Sequence, residues 1–176
     1  MKNSTQLAVC SIITSLTVVL MFFGGATFIL AYAVPIIVSL FMIMLKTTFS
    51  SSAAWITYAS SSALALMLSA DRECSMIYVA IFGYYPIIAG AFNRIKPKFL
   101  SLIIKLIYFN SAYALCQIIL FYVFGVPFIE EENFVVILIA LIIMMNILFV
   151  IYDRLVKLSF ILYRNKFEKR IKHLFK

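Results

Sequence analysis

Six apolar stretches fill nearly the whole chain, at residues 6–23, 27–45, 49–69, 75–92, 100–124 and 134–155. Each is close to the ~20 residues that one helix needs to cross the hydrocarbon of a bilayer. Short polar breaks separate them: Gly24-Gly25, Lys46 with Thr47-Thr48, Asp71-Arg72-Glu73, residues 93–98 around Pro97, and residues 125–133. The chain is 65% hydrophobic and only 12% charged, whereas a soluble domain is about half apolar and about a quarter charged. Such a chain has too little polar surface to cover itself in water, and too much apolar content to stay disordered. The expected fold is therefore all-α: an integral membrane bundle of six transmembrane helices over residues 1–159, followed by a basic cytoplasmic tail over 160–176. The first run carries Lys2 as its only preceding charge and is followed by further spans, so it reads as a retained helix rather than a signal peptide. The Gly24-Gly25 break admits either a very short turn or a bend in one long helix.

Charge placement orients the bundle. With six spans, one side collects Lys2, Lys46, Arg94, Lys96, Lys98, Lys105, Arg154, Lys157, Arg164, Lys166, Lys169, Arg170, Lys172 and Lys176. The other side holds Arg72 alone among the bases, beside Asp71, Glu73 and the run Glu130-Glu131-Glu132. Fourteen of the fifteen basic residues thus share a side. The bias of Lys and Arg toward cytoplasmic loops then predicts a multi-pass cell-membrane protein with both termini in the cytoplasm. The same distribution accounts for the net charge of +8 without nucleic acid, for which no aromatic or glycine-rich recognition pattern is present. In the tail, Phe160, Tyr163, Phe167, Ile171 and Leu174 alternate with bases at helical spacing. This predicts an amphipathic helix on the inner leaflet, either an electrostatic anchor to the lipid bilayer or a docking surface for a cytoplasmic partner.

Metal and cofactor chemistry finds little to use. Cys10, Cys74 and Cys116 are an odd count without ligand spacing, and the one histidine, His173, lies in the tail. No HExxH, GxSxG, Walker or paired-carboxylate pattern occurs, so neither a cofactor nor an enzymatic activity is expected. Among the acidic groups, only Asp153 near a lipid-level interface could serve an enzyme. Glu130-Glu131-Glu132 reads either as a topology-setting loop or as a weak cation site.

Polar residues inside the apolar runs are more informative, because burying them in lipid is costly. Small residues line one face of the third run (Ser50, Ala54, Thr57, Ser61, Ala65, broadened by Ser51, Ser52, Ser60 and Ser62). A second small face lies on the first run at Ala8, Ser11 and Ser15. Both permit close helix packing, and the one on the first run could equally meet another membrane protein. At ~1.5 Å per residue, Lys105 lies about two turns into the fifth run, level with Asp153 of the sixth. The two are either a pair or, separately, a snorkelling lysine and an interfacial Asp153-Arg154 couple. Asn110 and Asn146 share mid-depth, where they either bond to each other or contact a ligand. Gln117 lies higher.

The string Phe82-Gly83-Tyr84-Tyr85-Pro86 predicts a kink, since Pro86 has no N–H for the Phe82 carbonyl. Two phenols at such a kink need a protein group, a water or a ligand. Tyr113 lies a turn above Asn110, and Trp55 and Tyr58 occupy the middle of the third run. Their shared depth makes Tyr84, Tyr85, Asn110, Tyr113 and Asn146 candidate lining for an outward-opening pocket that takes a flat, neutral small molecule. The alternative is an aromatic-packed core.

Six short helices, both termini inside, this length and the absence of an ATP-binding motif resemble the substrate-binding (S) component of energy-coupling factor vitamin transporters, or a related six-span bacterial membrane protein. The resemblance spans almost the whole chain as architecture. It implies a small-molecule-binding (vitamin-like) subunit of an uptake transporter, with ATP hydrolysis supplied by partner ATPases through a membrane coupling subunit. It also implies that small residues on the first helix contact that subunit, and the matching positions are Ala8, Ser11 and Ser15. Outer loops and helix ends would close over the vitamin. The alternative is a non-transporting membrane scaffold of the MreD type, which is also small, basic and six-span.

Overall fold

A computed structural model of the protein describes residues 2–24, 28–69, 71–125 and 134–167. These residues form helices α1 Lys2–Gly24, α2 Phe28–Thr48, α3 Ser51–Leu68, α4 Arg72–Ile77, α5 Tyr85–Phe92, α6 Lys98–Phe124 and α7 Phe134–Leu162. A π-helical turn, Tyr78–Phe82, joins α4 to α5, and a second, Tyr163–Phe167, extends α7. Among the described residues there is no strand. Taking α4, its π turn and α5 as one bent rod, five helical rods are long and apolar enough to cross a membrane. The sixth rod, α3, is not among them: it is 18 residues long and its five serines dilute its hydropathy.

Local chemistry sets the ends. Ser50 has extended backbone and its hydroxyl accepts from the Ala53 N–H at 3.1 Å, opening α3. Asp71 does the same for α4, accepting from the Glu73 N–H at 2.9 Å. This cap starts the fourth rod at Arg72, a turn earlier than hydropathy alone places it. Pro97 precedes α6, and Gly125, at φ +65°, closes it by donating to the Phe121 carbonyl at 3.2 Å. The last helix outruns its expected end at residue 155 and continues through Leu162. Phe160 therefore belongs to α7, and Tyr163 and Phe167 to the π turn that follows. Ile171, Leu174, His173 and the rest of the tail lie outside the described residues, as do Gly25 and Glu130-Glu131-Glu132.

Helix α1 packs on α3 and α2, while α2 also reaches α4, α5 and α7. The small face of α3 is turned into this packing, with Ala54, Thr57, Ser61 and Ala65 all buried. That is why a serine-rich helix suits this place: small side chains let the backbones approach closely. Helix α1 is different. Its Ala8, Ser11 and Ser15 are exposed, and the hydroxyls of Ser11 and Ser15 bond back to the Leu7 and Ser11 carbonyls at 3.0 Å. The main apolar core lies among α2, α5, α6 and α7, built on Tyr85, Phe109, Phe149 and Tyr152.

Candidate functional site: a broken helix, its phenols and a buried charge centre

The bend begins where the sequence string demands it. The Gly83 N–H donates to the Tyr78 carbonyl, five residues back, at 2.7 Å. This widened turn leaves carbonyls without their usual partners one turn on, and Pro86 has no N–H to offer Phe82. Phenols fill the gaps. Tyr58 of α3 donates to the Val79 carbonyl at 2.7 Å, Tyr84 to Ala80 at 3.1 Å, and Tyr152 of α7 to Phe82 at 3.0 Å. The Tyr152 hydroxyl also lies 2.8 Å from the Ser39 hydroxyl, which has the Ile36 carbonyl as a further partner at 2.6 Å. Tyr78 pairs with Ser61 of α3 at 2.8 Å. Gly83 is required for contact as well as for pliancy. A Cβ there would stand 2.7 Å from the Tyr58 ring and 2.8 Å from the Tyr78 carbonyl oxygen, closer than real Cβ atoms approach.

Tyr85, on the next turn, faces the other way. Its hydroxyl donates to Asp153 Oδ1 at 2.5 Å, inside the core. Asp153 Oδ1 also accepts from Lys105 Nζ at 2.8 Å, and Oδ2 accepts from Lys157 Nζ at 2.5 Å. Lys105 is only 1% exposed and spends a further N–H on Asn93 Oδ1 at 2.7 Å. One carboxylate thus takes three donors from α5, α6 and its own helix. A buried ion pair is tolerable when the remaining lone pairs and protons are also engaged in this way. Lys105 and Asp153 are a pair, which settles the alternative that equal depth left open.

Asn110 of α6 and Asn146 of α7 exchange two amide bonds, at 2.8 and 3.0 Å. Each also donates to its own helix, at the Leu106 and Ile142 carbonyls. Tyr113 stacks on Phe109 with ring centroids 6.2 Å apart. The five residues singled out for a pocket are therefore placed in four settings. Asn110 and Asn146 are together, Tyr85 has its hydroxyl at the charge centre, Tyr113 is on the Phe109 ring, and Tyr84 is in an aromatic group that touches Tyr85 through Tyr108.

That group holds the more open space. Tyr84 stacks on Trp55 at 6.2 Å and meets Tyr58 at 5.6 Å and Tyr108 at 6.2 Å. Beside it lies an open cleft of about 340 Å³ between the bent rod and α6, lined by Val79, Ala80, Tyr84, Tyr108, Ser111 and Leu115. The hydroxyl of Tyr108 is buried and makes no hydrogen bond of full geometry among the described residues, with the Tyr84 hydroxyl as its neighbour. Sequence reading passed over Tyr108, Tyr152 and Ser39. Only for Tyr152 was a signal available: a freed Phe82 carbonyl requires some donor, though not which one. No family profile, curated protein or solved structure matches this chain.

Proposed function

We propose that the protein crosses the cell membrane six times with both termini in the cytoplasm and serves as the binding subunit of a multi-subunit uptake transporter. It takes a flat, vitamin-like molecule, and partners supply ATP hydrolysis. Three features support the topology. The bases cluster at one set of helix ends, the large exposed side chains are overwhelmingly apolar, and the small face of α3, with Ser61 and Ser62, is buried. The observation that carries the function is the open cleft walled by Tyr84 and Tyr108, with the Trp55 and Tyr58 rings packed on Tyr84. Aromatic walls that carry phenolic hydroxyls suit a planar molecule with hydrogen-bonding groups at its edge. Of the other candidate residues, Tyr85 stacks on the cleft's Tyr108 at 6.3 Å, while Asn110, Asn146 and Tyr113 do not line it. No covalent chemistry is assigned to the protein.

The exposed small face of α1 supports the partner half of the reading. Ala8, Ser11 and Ser15 would admit a helix of the coupling subunit at close range. Substituting Ser11→Leu should abolish co-purification with an integral partner, and unchanged recovery of every membrane partner would move the docking face elsewhere.

Thermal stabilisation of the purified protein against a panel of vitamins and nucleobases tests the binding half. A saturable shift with one compound, lost in Tyr108→Phe, is the expected result. A flat response across the panel would favour the second reading, a scaffold of the MreD type. That reading has its own support: the Asp153 ligands and the Asn110–Asn146 amides are satisfied internally, as rigid packing would require.

A further inference from the structure

A second cleft, of about 300 Å³, opens between α5 and α7. It shares no lining residue with the aromatic cleft, so it stands whichever way the small-molecule reading is decided. Gly90 and Asn93 form one wall and Lys157, Phe160 and Ile161 the other. Lys46 of α2 closes one edge. Its ammonium lies 5.9 Å from the centre of the Phe160 ring and would be 3.7 Å from a Cβ at Gly90. It spends one N–H on the Ile87 carbonyl at 2.6 Å.

Charge balance says what this cleft would attract. Lys105 and Lys157 share a single carboxylate, Asp153, and Lys46 has the Ile87 carbonyl and the Phe160 ring but no carboxylate among its contacts with the described residues, so positive charge is in excess here. Arg94 adds its field at Lys46. The Lys157 side chain is 45% exposed although it is bound to Asp153, and an ammonium has three donors. The walls are otherwise apolar: Pro86, Val156, Phe160 and Ile161. Two ammonium groups at the edge of an apolar slot match a phosphodiester with hydrocarbon attached. They do not match a free, fully hydrated anion, which would gain nothing from the apolar walls. Basic pockets between membrane helices bind acidic headgroups for this reason.

We propose that this cleft seats the headgroup of one anionic phospholipid, with the phosphodiester between Lys46 and Lys157 and the glycerol and upper acyl carbons against Phe160, Val156 and Ile161. Gly90 keeps the slot open. The lipid would bridge α2, α5 and α7 at the end of the bundle where the Asp153 centre also lies, and so couple local membrane composition to the packing of those helices.

Native mass spectrometry of the delipidated full chain, titrated separately with phosphatidylglycerol, phosphatidylcholine and inorganic phosphate, tests this. The expected result is one phosphatidylglycerol per chain, held more tightly than phosphatidylcholine, with no displacement by phosphate. Lys46→Gln should weaken it about fivefold, as one surface cation near a headgroup does. Gly90→Leu, which changes no charge, should remove it by filling the slot. Ile161→Trp fills the slot from the other wall, should Gly90→Leu not fold. Phosphatidylglycerol retained at wild-type affinity by the filled variants would overturn the site and leave the basic tail as the binder. Equal retention of phosphatidylcholine would also overturn it. Displacement by inorganic phosphate would reassign the cleft to a free anion. A lipid-independent dimer broken by Gly90→Leu would reassign it to a second copy of the chain.

Discussion

Removing the Asp153 carboxylate and removing the Lys105 ammonium break the same 2.8 Å contact, yet they should not cost the same. In Asp153→Ala, Lys105 stays 1% exposed and keeps only the neutral Asn93 oxygen at 2.7 Å. A buried charge stripped of its counterion costs about 3–5 kcal/mol, and Tyr85 loses its acceptor as well. In Lys105→Met, Asp153 retains the Tyr85 hydroxyl and the Lys157 ammonium, both at 2.5 Å. The carboxylate is then still neutralised, and the loss should be nearer one hydrogen bond to a charged group, about 1.5–3 kcal/mol. The double variant Asp153→Leu with Lys105→Met leaves neither ion and should be less damaged than Asp153→Ala alone, because apolar replacement of a buried pair is often close to neutral. Equilibrium unfolding in mixed micelles, followed by the fluorescence of the single tryptophan, Trp55, would measure all three. Equal losses for the two single variants, or a larger one for Lys105→Met, would refute the view that Asp153 is the shared hub.

Two further predictions concern neighbouring polar contacts. Tyr152→Phe leaves the Phe82 carbonyl without its donor and should cost about 1–3 kcal/mol; if the carbonyl is free because of Pro86, that cost should shrink in a Pro86→Ala background, and an unchanged cost in the same unfolding assay would sever the link. Asn110→Leu and Asn146→Leu should show a coupling of about 0.6–2 kcal/mol in a double-mutant cycle, the range for hydrogen bonds between membrane helices, whereas strict additivity would mean that the two amides act separately.

Much of the fold could be read from the residues, because in a chain this apolar the breaks are where charge, glycine and proline fall. Asp71 and Gly125 end their helices by local chemistry that short-range reasoning can name. Depth counting also brought Asn110 level with Asn146 and Lys105 level with Asp153, since helices of known rise starting from opposite ends meet at calculable heights. Lateral position was not available that way. The rise per residue says nothing about which helices are neighbours, so Tyr84 and Tyr85 read as a pair, although their hydroxyls go to different acceptors, the Ala80 carbonyl and Asp153. Tyr108 drew no notice because a tyrosine in an apolar run carries no sequence sign of whether it lines a cleft. The exit from α-helix to π turn at Tyr78 was equally invisible. Pro86 announces a kink, but the wider turn depends on Tyr58, Tyr84 and Tyr152 arriving to satisfy the released carbonyls.

The aromatic cleft, the charge centre and the lipid slot all take their setting from which way the basic helix ends face. Fusing green fluorescent protein and, separately, alkaline phosphatase to each end of the full-length chain in bacterial cells measures it directly. Fluorescence from both fusions and no phosphatase activity from either is the predicted result. Active phosphatase at one end would mean an odd number of crossings, and at both ends an inverted bundle; either would contradict the account.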